Sequence, residues 1–299
     1  MRLYLLKENM INYICKCPKD LFIPTNDFKA FPYYKNHNFL YNKAFISNSQ
    51  NIEYGYNNKY PNKYPIIVRP IINLNGMGYG TYYINNKNEI KNIDKDKFWC
   101  EILEGDHISV DIFYNNNEIK YTISFLGIKY KLFTFKYWEY LENYKLPKHI
   151  IIWINKYLKG YNGIVNIEII DNKIIECHLR MGDLNYFQDK ELINQVILCY
   201  QNKEIKIPKL NKIFLIPLFV KKGKYIKITK EDIFYCINKT NTQKIILNYF
   251  IDPQIKNPNG GDRICNFTVS DLNKGFIFKK ELMNYIDLHY NRGKTTIFI

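Results

Sequence analysis

The chain has 299 residues, 46% hydrophobic and 24% charged, which excludes a disordered polymer and leaves a globular protein of one large or two smaller domains. Its formal net charge of +15 accompanies an excess of Asn, Lys, Ile and Tyr, the bias of an AT-rich coding sequence. The positives are scattered without a long Lys/Arg block, so nucleic acid, acidic lipid, nucleotide phosphate and plain coding bias all stay open.

Residues 1–40 read as a short lead-in broken by Pro18, Pro24 and Pro32, and LYNKAFISNSQNI (40–52) is compatible with a helix. After a polar, Pro-bearing linker (56–64), two β-rich runs at 65–70 and 79–84 flank a turn carrying Gly76, Gly78 and Gly80. Strands follow at FWCEIL (98–103), HISVDIFY (107–114) and IKYTISFLG (119–127), the last two joined by an Asn115-Asn116-Asn117 turn. GIKYKLFTFKYWEY (127–140) carries Lys129, Lys131, Lys136 and Trp138 and reads either as a basic loop with aromatic anchors or as a lining for an acceptor.

HIIIWINKYLKG (149–160) predicts a helix closed by Gly160, and GIVNIEIIDNKIIECHLR (163–180) a hairpin with an Asp-Asn turn. NYFQDKELINQVILCY (185–200) sets Leu192, Val196 and Tyr200 on one helical face. The character changes after Pro208, where IFLIPLFV (213–220) and the runs beyond it read as an appended α+β unit with its longest loop at 253–263. The expected division is therefore 1–40, 41–205 and 206–299.

Seven cysteines (15, 17, 100, 177, 199, 236 and 265) form no Cys-x-x-Cys pair, and structural zinc is not supported. No apolar run is long enough to span a bilayer, and no signal core opens the chain. The reading is a soluble, cytoplasmic protein with idle thiols. His37, His149 and His289 have no partners at ligand spacing, and no Gly-x-Ser-x-Gly nucleophile occurs.

Two features point to chemistry. In YPIIVRPIINLNGMGYG (64–80) an apolar strand ends in Arg69, and glycines follow at alternate positions. Glycines let a ligand approach the backbone, and a guanidinium offers a planar fork to phosphate, though an ordinary hairpin uses glycines too. In the hairpin 163–180, Glu168 and Glu176 can meet across the strands with His178 on the face of Glu176. Facing carboxylates repel unless a cation lies between them, and Mg²⁺ is held by oxygen ligands with phosphate; a solvated polar face is the alternative.

The order of these segments resembles the ATP-grasp superfamily over roughly residues 40–200. YPIIVRP followed by GMGYG is similar to its strand and flexible glycine loop, the Arg-Pro form resembling the carbamoyl-phosphate synthetase branch. Lys43 in YNKAFISNSQNIEYG corresponds to a first nucleotide-binding lysine. FWCEILEGDHISVDIF is similar to the adenine clamp, so main-chain groups of Glu101, Ile102 and Leu103 would meet the base, with His107 where many members carry a ribose-binding acid. The hairpin is similar to the metal hairpin: Glu168, Glu176 and His178 would be the ligands, with His178 replacing the usual Asn, and Arg180 would lie near the transferred phosphate.

The resemblance implies an α+β ATP-grasp fold with a shortened N-terminal region. It implies an ATP- and Mg²⁺-dependent ligase, Mn²⁺ being an alternative ion, that activates a carboxylate as an acyl phosphate for an amine or thiol acceptor. A nucleotide-binding protein without turnover and a basic nucleic-acid-binding module are the alternatives. On this reading Glu176→Ala removes turnover and spares the fold.

Overall fold

A computed structural model describes residues 18, 20–57, 59–76, 78–90, 93–130, 134–182, 184–187, 189–220, 230–240, 246–249 and 262–290. Two antiparallel sheets organise them. The smaller has four strands in the order β1 (Tyr54–Gly55), β4 (Lys97–Glu101), β2 (Ile66–Pro70), β3 (Tyr82–Ile84). The larger has eight, in the order β11 (Ile246–Tyr249), β12 (Asp262–Val269), β10 (Phe214–Val220), β7 (Phe135–Leu141), β6 (Glu118–Lys129), β5 (His107–Asn115), β8 (Gly163–Ile170), β9 (Lys173–His178). Residues 102–106 carry the chain from the last strand of the small sheet into the large one.

One face of β5, β8 and β9 supplies Ile108, Val110, Ile112, Val165, Ile167, Ile169, Ile174 and Cys177 to a core completed by helix α3 (Lys148–Tyr157) through Ile150, Trp153 and Ile154. Ile46 of helix α2 (Lys43–Ser49) joins the same core. Helix α4 (Lys190–Tyr200) is capped by Asp189, whose carboxylate accepts from the Leu192 amide at 2.9 Å. Its Leu192, Ile193, Val196 and Ile197 pack with Phe113, Ile123 and Phe125 in a second cluster. Gly163 takes φ +140°, and a Cβ there would meet Tyr200 Cε1 at 2.2 Å, so the start of β8 is fitted to an aromatic ring.

Helices α5 (Lys230–Thr240) and α6 (Leu272–Tyr290) cover β10 and β12 through Ile233, Ile237, Phe278 and Leu282. These C-terminal elements have their own apolar cluster, yet their strands continue the large sheet where β10 pairs with β7. Pairing on both edges makes residues 135–141 a strand, where the sequence suggested a loop with aromatic anchors. Tyr137 packs toward the C-terminal cluster while Trp138 and Tyr140 join the α4 cluster, so neither face is polar and no alternation marks the strand.

The lead-in holds a further departure. Asp27–Tyr33 form helix α1, with Asn26 as N-cap accepting from Lys29 at 3.0 Å and Pro32 inside, one residue before the end. The loop expected at 253–263 falls mostly outside the described residues, as do Cys15, Cys17, Met77 and Lys131. Cys100, Cys177, Cys199 and Cys236 are buried free thiols. Among the described residues no helix is long and apolar enough to cross a membrane.

Candidate nucleotide and metal site

The acidic hairpin depends on a bulge. Asp171 and Asn172 turn between β8 and β9 with φ of +50° and +55°, and the ladder starts regularly with Ile170 opposite Lys173 and Ile169 opposite Ile174. Continued unchanged, it would set Glu168 opposite Ile175 and turn Glu176 to the other face. The register shifts instead, Ile175 is the extra residue, and Glu168 faces Glu176 with Asn166 facing His178. The Ile175 carbonyl accepts from Arg69 Nη1 at 3.2 Å.

Residues opposite each other in an antiparallel pair share a face. Ser109 lies opposite Glu168, and Asp111 opposite Asn166. His107, Ser109, Asp111, Asn166, Glu168, Glu176 and His178 therefore form one polar field on the large sheet, behind which the alternate residues fill the apolar core. Asp111 is buried and accepts from the backbone amides of Gly182 and Leu184, both at 2.6 Å, fixing the segment beyond the hairpin.

Cations reach this field from separate elements. Lys43, first residue of α2 after its N-cap Asn42, sets Nζ 2.6 Å from Glu176 Oε1. Arg69, at the end of β2 in the small sheet, donates through Nη2 to the same oxygen. His178 Nε2 lies 3.3 Å from Glu176 Oε2, and its Nδ1 lies 3.1 Å from Asp27 Oδ2, an ion-pair approach off the hydrogen-bond line. Arg180 grips Asp27 with both ends of its fork, Nε to Oδ1 at 3.0 Å and Nη2 to Oδ2 at 2.9 Å, while Nη1 donates to the Met181 carbonyl at 2.8 Å. His107 Nε2 meets Glu168 Oε2 at 2.8 Å.

These contacts set the charges. Burial alone would raise the Glu176 carboxyl; Lys43, the His178 hydrogen bond and Arg69 outweigh it and hold the group well below the carboxylate range. Burial and repulsion from Glu176 would raise Glu168; the His107 hydrogen bond, together with the attraction of His107 and His178, lowers it instead. Burial pulls Lys43 down against the attraction of Glu176. Burial would also lower His178, but Asp27 drives it the other way, to about 9. His178 is thus an imidazolium at neutral pH, with both nitrogens turned to carboxylates.

The same cluster offers donors for a divalent ion. Donor atoms of Glu168, Glu176 and His178 come within 4.8 Å of one another. The two carboxylates fit an oxygen-ligated ion such as Mg²⁺. In this arrangement His178 braces Glu176, its Nε2 3.3 Å from Glu176 Oε2.

The other residues singled out from the sequence fall around this centre. Gly76, Gly78 and Gly80 have φ of +66°, +62° and +73° in the link between β2 and β3, stitched by Tyr79 N to Gly76 O and Thr81 N to Gly78 O, both 3.0 Å. Glu101 ends β4, and Ile102 and Leu103 begin the connection between the sheets. The Glu101 carboxylate accepts from Glu53 N at 3.0 Å, and the Glu101 amide donates to Glu53 O at 2.9 Å. His107 opens β5 and is turned to Glu168, packed edge-on against Phe135 and Trp138. His37 and His149 bond backbone carbonyls of Lys159 and Asn172, away from the cluster.

Sequence reading missed Asp27, Tyr41, Ser109, Asp111 and Asn166. The last three had a signal: polar residues at alternate positions of the otherwise β-branched runs HISVDIFY and VNIEII. Asp27 had only the Asn26 cap to mark it, and nothing local ties it to residues 178–180.

No family profile matches the sequence, and no curated protein matches it. Solved structures do match the fold. Carboxyaminoimidazole ribonucleotide synthase from Aspergillus clavatus, complexed with ATP, superposes with a TM-score of 0.56 at 8% identity, covering 85% of this chain and 74% of its own. L-amino acid ligase from Bacillus licheniformis gives 0.56 at 11% identity, with 88% and 73% covered. N5-carboxyaminoimidazole synthetase from Staphylococcus aureus, complexed with ADP, gives 0.56 at 12% identity, with 83% and 72% covered. The fold is α+β and resembles that of the ATP-grasp enzymes. At these identities the ATP-grasp likeness concerns architecture, and the chemistry rests on the residues themselves.

Proposed function

We propose that this chain is an ATP- and Mg²⁺-dependent ligase that activates a carboxylate as an acyl phosphate for attack by an amine or a thiol. The observation that carries the reading is the meeting of Arg69 and Lys43 with Glu176 and Glu168 at the seam of the two sheets. Two cations for a triphosphate and two carboxylates for a divalent ion then share one small volume. The Arg-Pro end of β2 further supports a likeness to the carbamoyl-phosphate synthetase branch.

In this reading Arg69 and Lys43 neutralise phosphate oxygens, the backbone of the Gly76–Gly80 turn lies over them, and main-chain groups at 101–103 meet the adenine. Glu168 and Glu176 would hold Mg²⁺, or Mn²⁺ in its stead, and the bound ion would neutralise charge on the phosphates. His107 steadies Glu168, a role its geometry favours over a ribose contact. Arg180 orients the acceptor carboxylate or the transferred phosphoryl group. A carboxylate oxygen attacks the γ-phosphorus as its bond to the ADP oxygen breaks; the amine or thiol then attacks the acyl carbon and inorganic phosphate leaves. Rate comes from positioning and charge neutralisation.

The test is ADP release with Mg²⁺ across a panel of amino acids and small carboxylates paired with amines and thiols, alongside calorimetry with ATP. Release that needs both a carboxylate and an acceptor supports the ligase. Binding of ATP without release under any pairing would favour a nucleotide-binding protein without turnover, a second reading supported by His178 standing where an Asn ligand is usual. Absence of ATP binding would end both.

A further inference from the structure

Asp27 comes from a helix far from the hairpin in sequence, yet it is the partner on which the end of the hairpin converges. It is buried, 4% exposed, and its two oxygens meet three side chains. Oδ1 accepts from the Tyr41 hydroxyl at 2.9 Å and from Arg180 Nε at 3.0 Å; Oδ2 accepts from Arg180 Nη2 at 2.9 Å and faces His178 Nδ1 at 3.1 Å. The Tyr41 hydroxyl in turn accepts from the Leu179 amide at 3.1 Å. Residues 178, 179 and 180 are thus each held, by side chain or backbone, to Asp27 or to its own partner.

Composition sharpens the point. Only five residues of this Lys-rich chain are arginine, and two of them, Arg69 and Arg180, lie at this site. A planar fork locked bidentate on a carboxylate has one orientation, whereas a lysine there would swing. The fork's outer edge is what remains to meet a ligand, and the side chain keeps 20% of its surface exposed.

We propose that Asp27 is a positioning residue: it fixes the guanidinium of Arg180, and with it the turn of His178 toward Glu176, in the orientation that receives the anionic group beside the nucleotide. This rests on the reading of Arg180 as a ligand of phosphate or carboxylate. The lead-in before the nucleotide-binding core is then part of the site.

The experiment compares wild type, Asp27→Asn, Arg180→Gln and the double variant, with Asp27→Glu as the variant that keeps the charge should Asp27→Asn not fold. The first readout needs no nucleotide. With ¹⁵N-arginine labelling, the Arg180 Nε–H gives a slowly exchanging signal, assigned by its loss in Arg180→Gln. It disappears in Asp27→Asn and moves in Asp27→Glu.

The second readout is the affinity for the Mg²⁺ complex of a non-hydrolysable ATP analogue. Asp27→Asn weakens it about tenfold, and in the Arg180→Gln background it adds less than about threefold, because both changes remove one arrangement. An unchanged Arg180 signal in both Asp27 variants, additive losses, or a lowered melting temperature with intact affinity would each overturn the proposal. If wild type binds no analogue, the ligase reading fails, and the Arg180 signal alone decides whether Asp27 orients the guanidinium.

Discussion

Replacing Glu176 with Gln keeps the shape of the side chain and removes one charge from the centre of the cluster. Lys43 at 2.6 Å, Arg69 on the same oxygen and His178 at 3.3 Å all depend on that carboxylate. Lys43 and Arg69 are 3% and 8% exposed, so water cannot take its place. Removing one partner of a buried ion pair costs about 3–5 kcal/mol, and the lower end applies here because Lys43, already pulled down by burial, can shed its proton. At about 2 °C per kcal/mol for a chain of this size, the melting temperature falls by about 6 °C.

The loss is measured by thermal denaturation at neutral and at mildly alkaline pH. The gap between variant and wild type narrows on the alkaline side, where Lys43, left without its carboxylate, becomes neutral. A Glu176→Gln protein that melts within about 1 °C of wild type at neutral pH refutes the reasoning, since Glu176 would then not be the anion that holds these cations. The expectation from sequence is that a Glu176 substitution spares the fold; the contacts of Glu176 with Lys43, Arg69 and His178 add the expectation that it lowers stability.

Three further outcomes follow from the structure. Arg69→Ala weakens binding of a Mg²⁺–ATP analogue by about tenfold or more, and Arg69→Lys restores only part of it, because an ammonium cannot span both Glu176 and the Ile175 carbonyl. The folded-state value of His178, about 9 against 6.5 unfolded, contributes stability that is complete below 6.5 and is lost as pH rises through 9. That contribution is about 3 kcal/mol and belongs to one interaction shared with Asp27, so the melting temperature of His178→Gln falls less across this window than that of wild type. Gly163→Ala forces a Cβ to 2.2 Å from the Tyr200 ring at φ +140° and destabilises by about 2–4 kcal/mol; denaturant titration checks it, and Tyr200→Leu in the same chain relieves only the contact part.

The sequence by itself determined the strands and helices whose pattern is local. Alternation in HISVDIFY and the turn residues Asn116, Asn117, Asp171 and Asn172, all with positive φ, set β5, β6, β8 and β9. It also named the chemical groups of the site, because Arg69, Glu168, Glu176 and His178 stand out against apolar or β-branched neighbours. Strand β7 escaped it, since a strand packed on both faces carries no alternating signal.

Tertiary structure decided how those groups meet. Only the bulge at Ile175 turns Glu176 to the face of Glu168, and a one-residue shift in pairing leaves no mark on composition or period. Asp27 and Lys43 reach the hairpin across more than a hundred residues, so the partners that fix the charges of His178 and Glu176 are set by packing of α1 and α2 on β9 and not by any local pattern. Residue chemistry is local and can be read along the chain; the electrostatic state of a buried group belongs to whatever the fold brings beside it.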